Sequence, residues 1–173
     1  LPLYEQLGDL VGQGNVLNNL GVNARDDSQW DQALDYYERS RIVRNEAGDV
    51  IGAATAIINI AEILAYQGHI ERAEQLFTEA TRSCRRTGYE IGYALAAGNL
   101  GRLYARLEDY DRARELQTDA IERMERVGAT AQVLEIRVMR VECETLARNG
   151  ALALTMAQPL LEEIRAWDDP LLE

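Results

Sequence analysis

The apolar residues between Asp49 and Gly68 follow the period of an α-helix. Ile57, Ile60 and Leu64 are three or four residues apart, which is the spacing of side chains on one helical face. Asp49 is a residue type that caps helix N-termini, and the stretch around Gly68 interrupts the pattern. The segment therefore predicts one helix followed by a turn.

A second helical pattern follows the turn. Ala73, Phe77 and Ala80 share one side of this helix, and Gly88 closes the segment. Small residues allow two helices to approach closely, while the ring of Phe77 fills the space between them. Together, the two patterns predict a helical hairpin over residues 49–88.

The hairpin pattern returns at an offset of 40 residues along the chain. Leu20, Ile60 and Leu100 share one phase of the repeat. Two further sets keep the same offset, namely Ala33, Ala73 and Ala113, and Asn19, Asn59 and Asn99. A fixed period of this size is typical of stacked supersecondary units that bury a common core. The repeats are predicted to cover residues 9–48, 49–88 and 89–128.

The pattern weakens at both ends of the chain. Over residues 129–168, Arg140 and Glu144 stand where the third repeat has leucine and tyrosine, so we expect a degenerate fourth repeat whose helix is rotated. Residues 1–8 align with the end of a repeat's second helix and are expected to be the tail of a preceding repeat. We therefore predict that residues 1–173 form a single repeat segment of a longer protein.

The repeated motif resembles the tetratricopeptide repeat, whose pattern is W-x2-L-G-x2-Y followed by A-x3-F. The first repeat carries the matching residues Leu17-x2-Leu20-Gly21 and Ala33-x3-Tyr37. The third repeat departs from the pattern, because Gln117 replaces the aromatic residue. The period of 40 residues rather than 34 is similar to the long-helix variant found in kinesin light chains and many bacterial signalling proteins. The resemblance implies an all-α fold, a right-handed α-solenoid of helical hairpins.

Composition and charge narrow the function classes. The chain has 29 acidic and 18 basic residues and a formal net charge of −11, which argues against binding to nucleic acid or to an anionic membrane. No apolar run reaches membrane-spanning length. Cys84, Cys143 and the single His69 do not have the spacing of a metal site. We expect buried free thiols, no metal ion, no cofactor and a cytoplasmic location.

The first helix of each repeat has a second face, opposite to the face that packs on its partner helix. In stacked repeats such faces line an inner surface where partners commonly bind. A helical projection at roughly 100° per residue identifies the residues of this face that could contact a ligand. The candidates for a peptide-binding groove are Asn15, Asn18, Asn19, Arg25, Asn59, Glu62, Tyr66, Asn99, Arg102 and Arg106.

Asn19, Asn59 and Asn99 occupy one equivalent position in three successive repeats. An asparagine side chain offers both donors and an acceptor, which matches the N–H and C=O groups of an extended peptide backbone. The resemblance to long-repeat adaptors implies this peptide-binding role. The alternative is that each asparagine bonds to a neighbouring helix and spaces the repeats.

Arg102 and Arg106 are one helical turn apart on the same predicted face. Two guanidinium groups at this spacing can clamp a carboxylate. The alternatives are ion pairs with Glu62 or Glu142, or a solvated pair that makes no specific contact.

No catalytic constellation emerges from the sequence, so we do not expect an enzyme. We predict a scaffold that binds a peptide, a protein or another domain of the parent chain, without nucleic acid or membrane. The repeats also resemble the helical region of large actinobacterial ATPase, nucleotide-cyclase or transcriptional regulators. The alternative is a structural module for self-association or intramolecular docking that controls an attached ATPase, cyclase or DNA-binding domain.

Overall fold

The computed structural model describes residues 1–168 of the chain. In this part the backbone forms nine α-helices and no β-strand. In chain order they are α1 (Pro2–Leu7), α2 (Leu10–Asp26), α3 (Trp30–Glu46), α4 (Val50–Tyr66), α5 (Ile70–Thr87), α6 (Glu90–Arg106), α7 (Tyr110–Arg126), α8 (Thr130–Leu146) and α9 (Gly150–Asp168). The prediction of an all-α fold class built from helical hairpins is confirmed.

The helices start at regular intervals along the chain. The first helices of successive hairpins begin at Leu10, Val50, Glu90 and Thr130. The second helices begin at Trp30, Ile70, Tyr110 and Gly150. Both series keep the offset of 40 residues that the apolar pattern shows.

Aspartate caps mark the start of two hairpins. The Asp9 carboxylate accepts a hydrogen bond from the backbone N–H of Gly12 at 2.8 Å, and Asp49 accepts from Gly52 at 2.9 Å. Each bond satisfies one of the N–H groups that a helix N-terminus leaves without an intrahelical partner, and such a cap stabilises a helix by about 1 kcal/mol. The capping role predicted for Asp49 is confirmed.

The turn inside each hairpin requires a left-handed backbone conformation. Gly68 provides it in the second hairpin with φ of 83°. In the other three hairpins the equivalent position holds a residue with a side chain, and its φ is also positive: Ser28 at 60°, Glu108 at 64° and Arg148 at 60°. A side chain in this conformation costs free energy that glycine does not incur.

The chain divides into two compact units, the first covering Leu1–Ala96 and the second beginning at Ala97. In the first unit, α2 packs on α3, α3 on α4, and α4 on α5. Tyr37 and Phe77 are the bulkiest fully buried side chains of this core. A Cβ atom on Gly21 would come within 2.5 Å of the Tyr37 ring, so the glycine is what allows α2 to approach α3 so closely.

In the second unit, α7 packs on α8, and α8 packs on α9. Gln117 on α7 is fully buried at the position that Tyr37 and Phe77 fill in the first unit. Its side-chain Nε2 and Oε1 atoms have no hydrogen-bond partner among the residues that the structure describes. The third hairpin therefore holds a polar group in a position that suits an aromatic ring.

The buried side of α8 differs from that of the earlier first helices. It passes through Ile136, Met139 and Cys143. Arg140 has the phase of the buried Ile60 of α4 but is only half-buried. The buried stripe of α8 is therefore displaced around the helix relative to that of α4.

Candidate peptide-binding face

The predicted groove residues of the first unit lie on α2 and α4 and form what we call the α2/α4 polar face. It consists of Asn15, Asn18, Asn19, Arg25, Asn59, Glu62 and Tyr66. Asn15, Asn19 and Tyr66 are exposed, and the other four are half-buried. The structure thus gives α2 and α4 a surface where amide, charged and phenol groups are reachable from solvent.

A side-chain hydrogen bond links the two helices of this face. Asn59 Nδ2 donates to Asn18 Oδ1 at 3.1 Å. The bond corresponds to the helix-spacing alternative for Asn59, and it uses one of the two N–H groups of that amide. The Asn59 Oδ1 atom and the exposed Asn19 amide keep hydrogen-bonding capacity for a ligand.

Asn15 lies at the edge of the face, where α2, α3 and the start of α4 meet. Its Oδ1 accepts a hydrogen bond from Arg44 Nη2 at 2.7 Å. The Arg44 guanidinium also donates to Asp49, and its Nε donates to Ser40 Oγ at 3.2 Å. Because Arg44 is only 9% exposed and engages all three groups, Asn15 is held in a structural network.

Charge pairs line the other end of the face. Arg25 lies 3.1 Å from Asp26 and 3.9 Å from Glu62, so it bridges α2 and α4. Burial opposes the charged form of Arg25, but the hydrogen bond to Asp26 and the nearby Glu62 carboxylate raise its pKa above the usual range. This arginine stays charged and presents its guanidinium partly to solvent.

An aromatic pair borders the same face. The rings of Trp30 and Tyr66 have centroids 6.4 Å apart and are tilted by 39°. Trp30 is 37% exposed and Tyr66 50%. The sequence analysis included Tyr66 but not Trp30, and the available signal was an aromatic residue in the first turn of a helix that is otherwise strongly polar.

The predicted groove residues of the second unit have different surroundings. Asn99 is buried, with 6% of its surface exposed, and Arg102 is half-buried. Arg106 is exposed and its Nη2 lies 3.2 Å from Glu142 Oε1. That contact is one of the ion pairs named as alternatives to a carboxylate clamp.

The sequence analysis missed the most highly connected polar group of the second unit. Glu144 is fully buried on α8, and its carboxylate accepts hydrogen bonds from Arg114, Arg140 and Asn149. The hydrogen bonds from Arg114 lower the pKa of Glu144 to about 2, although burial acts in the opposite direction. Its phase, equivalent to that of Tyr104, was the signal for an inward-facing side chain.

Metal and nucleophile chemistry finds no support in residues 1–168. No three side chains of histidine, cysteine, aspartate or glutamate in that range come together to hold a metal ion. Cys84 and Cys143 are buried free thiols, and burial raises the pKa of Cys84 to about 11. Over the same range no helix combines the length and apolarity needed to cross a membrane.

Paired helices with a polar outer face define the class of α-helical repeat scaffolds. The chain belongs to the tetratricopeptide repeat family, because the family model matches residues 12–86 and 54–126. Repeats of this family generally mediate protein–protein interaction, and such scaffolds are generally not catalytic. Among curated protein sequences, none matches this chain.

Solved structures with the same fold have low sequence identity to this chain. The crystal structure of the apo form of RapI has a TM-score of 0.80 and 16% identity, and the match covers 97% of this chain and 61% of that one. BtubC (BKLC) from P. vanneervenii has a TM-score of 0.71 and 21% identity, with 90% and 64% covered. A putative kinesin light chain from Podosopora anserina, with nearly identical TPR-like repeats, has a TM-score of 0.61 and 12% identity, with 91% and 77% covered. This chain therefore spans about three fifths of the length of the RapI and BtubC structures.

Proposed function

We propose that this chain is a binding scaffold that holds an extended peptide or protein segment on the α2/α4 polar face. The observation that carries the proposal is the exposed Asn19 amide beside the linked pair of Asn18 and Asn59. Amide groups on adjacent parallel-phase helices can bond a peptide backbone in both directions, as donor and as acceptor. Arg25 and Glu62 then select for charged side chains of the ligand.

In the second unit, Asn99, Arg102 and Arg106 would extend the binding surface. Asn99 is the least exposed of the three, and Arg106 must exchange Glu142 for a ligand carboxylate. Because an exposed ion pair contributes little to stability, that exchange has a low cost. The parent protein is proposed to be a larger bacterial signalling protein that acts in the cytoplasm, with this chain as its regulatory or interaction region.

The test is a peptide selection followed by variant analysis. Peptides that bind the wild-type chain are selected from a random display library, and their affinities are measured for the double variant N19A/N59A. We expect affinity to fall about tenfold or more, since backbone hydrogen bonds are lost. The matched control is N45A, which removes an exposed asparagine of α3. Equal affinities for N19A/N59A and the wild type would contradict the proposal.

A second candidate function is self-association or intramolecular docking that controls an attached ATPase, cyclase or DNA-binding domain. The observation in its favour is exposed apolar surface on α9, where Leu152, Leu154 and Leu161 are 48%, 66% and 53% exposed. α1 likewise exposes Leu3 and Leu7. Contiguous apolar surface of this kind typically marks an interaction site.

Sedimentation velocity across a range of concentrations tests this second candidate. A concentration-dependent shift to a larger species that is lost in L154E/L161E would support it. A strictly monomeric chain that also fails to bind the other domains of its parent protein would leave it without support.

A further inference from the structure

Three arginines lie on the outer face of α5, and we call them the α5 arginine cluster: Arg82, Arg85 and Arg86. All three are exposed. Arg82 and Arg86 are one helical turn apart, so their Cβ atoms are about 5–6 Å apart. Arg85 lies three residues from Arg82 and completes the cluster.

The cluster is on the side of α5 that faces away from α4. Ala73, Phe77, Ala80 and Cys84 are the buried residues that define the inner side of the helix. At roughly 100° per residue, Arg82 projects almost directly opposite to them. The three arginines help to line a surface depression of about 810 Å³, together with Glu74, Gln75, Thr78 and Glu79.

Two of these arginines lack the internal partners that arginines elsewhere in the chain have. On α3, Arg39 pairs with Asp35 at 3.3 Å, and Arg41 pairs with Glu38. In contrast, Arg82 and Arg86 make no hydrogen bond or ion pair to any residue in the range 1–168. The unpaired charge is notable in a chain whose formal net charge is −11.

The nearest acidic side chain does not neutralise the cluster. Glu79 precedes Arg82 by three residues, a spacing that permits an ion pair on a helix. Instead, Glu79 lines a separate crevice with Arg41, and its charge acts on that arginine. Arg85 is oriented by Tyr93, whose hydroxyl accepts a hydrogen bond from Nη2 at 2.8 Å and whose ring lies 5.1 Å from the guanidinium.

We propose that the α5 arginine cluster is a second docking surface, which binds an acidic segment of a protein partner. Unpaired guanidinium groups bind carboxylates with charge-assisted, bidentate hydrogen bonds. Nucleic acid is the weaker fit, because the chain as a whole repels polyanions and three arginines on one helical face give no extended basic track. Helix α5 thus binds on the side opposite to its packing face, independently of the α2/α4 polar face.

The structure also assigns different parts to the three arginines. Arg85 is held by Tyr93 and provides a fixed guanidinium, so it loses little conformational entropy when a ligand binds. Arg82 and Arg86 supply the mobile charges that close on the ligand carboxylates. Substitution of Arg82 and Arg86 therefore removes the charge of the cluster without breaking an internal contact.

The experiment measures binding of a fluorescein-labelled oligoglutamate peptide by fluorescence anisotropy. For the wild type we expect binding at low salt that weakens at an ionic strength of about 0.15 M, as exposed charges are screened. In R82Q/R86Q we expect affinity to fall about tenfold or more. The matched control is R148Q/R165Q, which makes the same change in net charge at two exposed arginines of the second unit.

Each outcome bears on the proposal. A loss confined to R82Q/R86Q supports it, and an equal loss in R148Q/R165Q overturns it, because only total charge would then matter. Tighter cluster-dependent binding of an oligothymidylate of the same charge also overturns it. N19A/N59A should bind oligoglutamate like the wild type, which separates this proposal from the peptide-binding function of the α2/α4 polar face.

Discussion

Arg114 forms a bidentate ion pair with Glu144, with 2.9 Å from Nε to Oε1 and 3.0 Å from Nη2 to Oε2. The pair joins α7 to α8, and Glu144 is completely buried. Arg140 and Asn149 donate to the same carboxylate at 3.2 Å and 2.8 Å. A buried carboxylate with this many donors holds the two helices in one register, since any slip would leave a charge without its partners.

Substitution of Glu144 should therefore be strongly destabilising. For E144A we expect the free energy of unfolding to fall by about 3–5 kcal/mol, because Arg114 and Arg140 would lose their shared partner. Urea titration followed by circular dichroism measures the change. E115A removes an exposed carboxylate from α7 and should change stability by less than about 0.5 kcal/mol. Similar effects for both variants would show that the network contributes little.

The stability of the second unit should also depend on acid pH through Glu144. Its pKa is about 2 in the folded chain and about 4.5 in the unfolded chain. Because the folded value is the lower one, the contribution of Glu144 is complete above the unfolded pKa and is lost as pH falls through the folded pKa. We expect the loss between about pH 4.5 and pH 2, amounting to about 2–3 kcal/mol.

Thermal unfolding of the wild type and E144Q across this pH window tests the prediction. The difference between the two proteins should shrink as the pH is lowered. A constant difference at every pH would contradict the assignment of a lowered pKa to this carboxyl.

Gln117 is a site where a substitution should increase stability. Its buried amide atoms have no partner within the described residues, and Gly101 leaves room beside it in the way that Gly21 does beside Tyr37. We expect Q117F to raise the free energy of unfolding by about 1–2 kcal/mol, since an unsatisfied polar group is replaced by an apolar ring. The reciprocal variant F77Q should lose about 3 kcal/mol or more. A destabilised Q117F would indicate that the amide makes contacts important to the fold.

The hairpin turns offer a further test. Glu108 has a positive φ of 64°, and the equivalent residue of the second hairpin is Gly68. Because glycine adopts this conformation without steric cost, we expect E108G to stabilise the chain by about 0.5–1 kcal/mol. G68E should lose a similar amount. Differential scanning calorimetry of both variants would show opposite shifts in the melting temperature, and shifts of the same sign would contradict the argument.

The sequence was sufficient for features that depend on neighbouring residues. The helix starting after Asp49, the turn at Gly68 and the packing role of Phe77 all follow from local spacing, and the structure confirms them. The burial of Glu144 could not be predicted in the same way. Its main partner, Arg114, is 30 residues away, and only the packing of α7 on α8 brings the two charges together.

The candidate site shows the same division. The periodicity identified Asn19 and Asn59 as equivalent positions, but it left two roles open for each. The hydrogen bond between Asn59 and Asn18 depends on the distance between α2 and α4, which the pattern of one helix does not contain. The ion pair between Arg106 and Glu142 likewise depends on the packing of the second unit.

The burial of both cysteines makes this chain convenient for site-specific labelling. With a pKa of about 11, the Cys84 thiol is ionised in only about one molecule in ten thousand at neutral pH, and burial also raises the pKa of Cys143. Maleimide reagents attack thiolates that they can reach, so neither native cysteine competes with a surface thiol. A fluorophore attached through N45C would therefore report ligand binding in an otherwise unmodified chain.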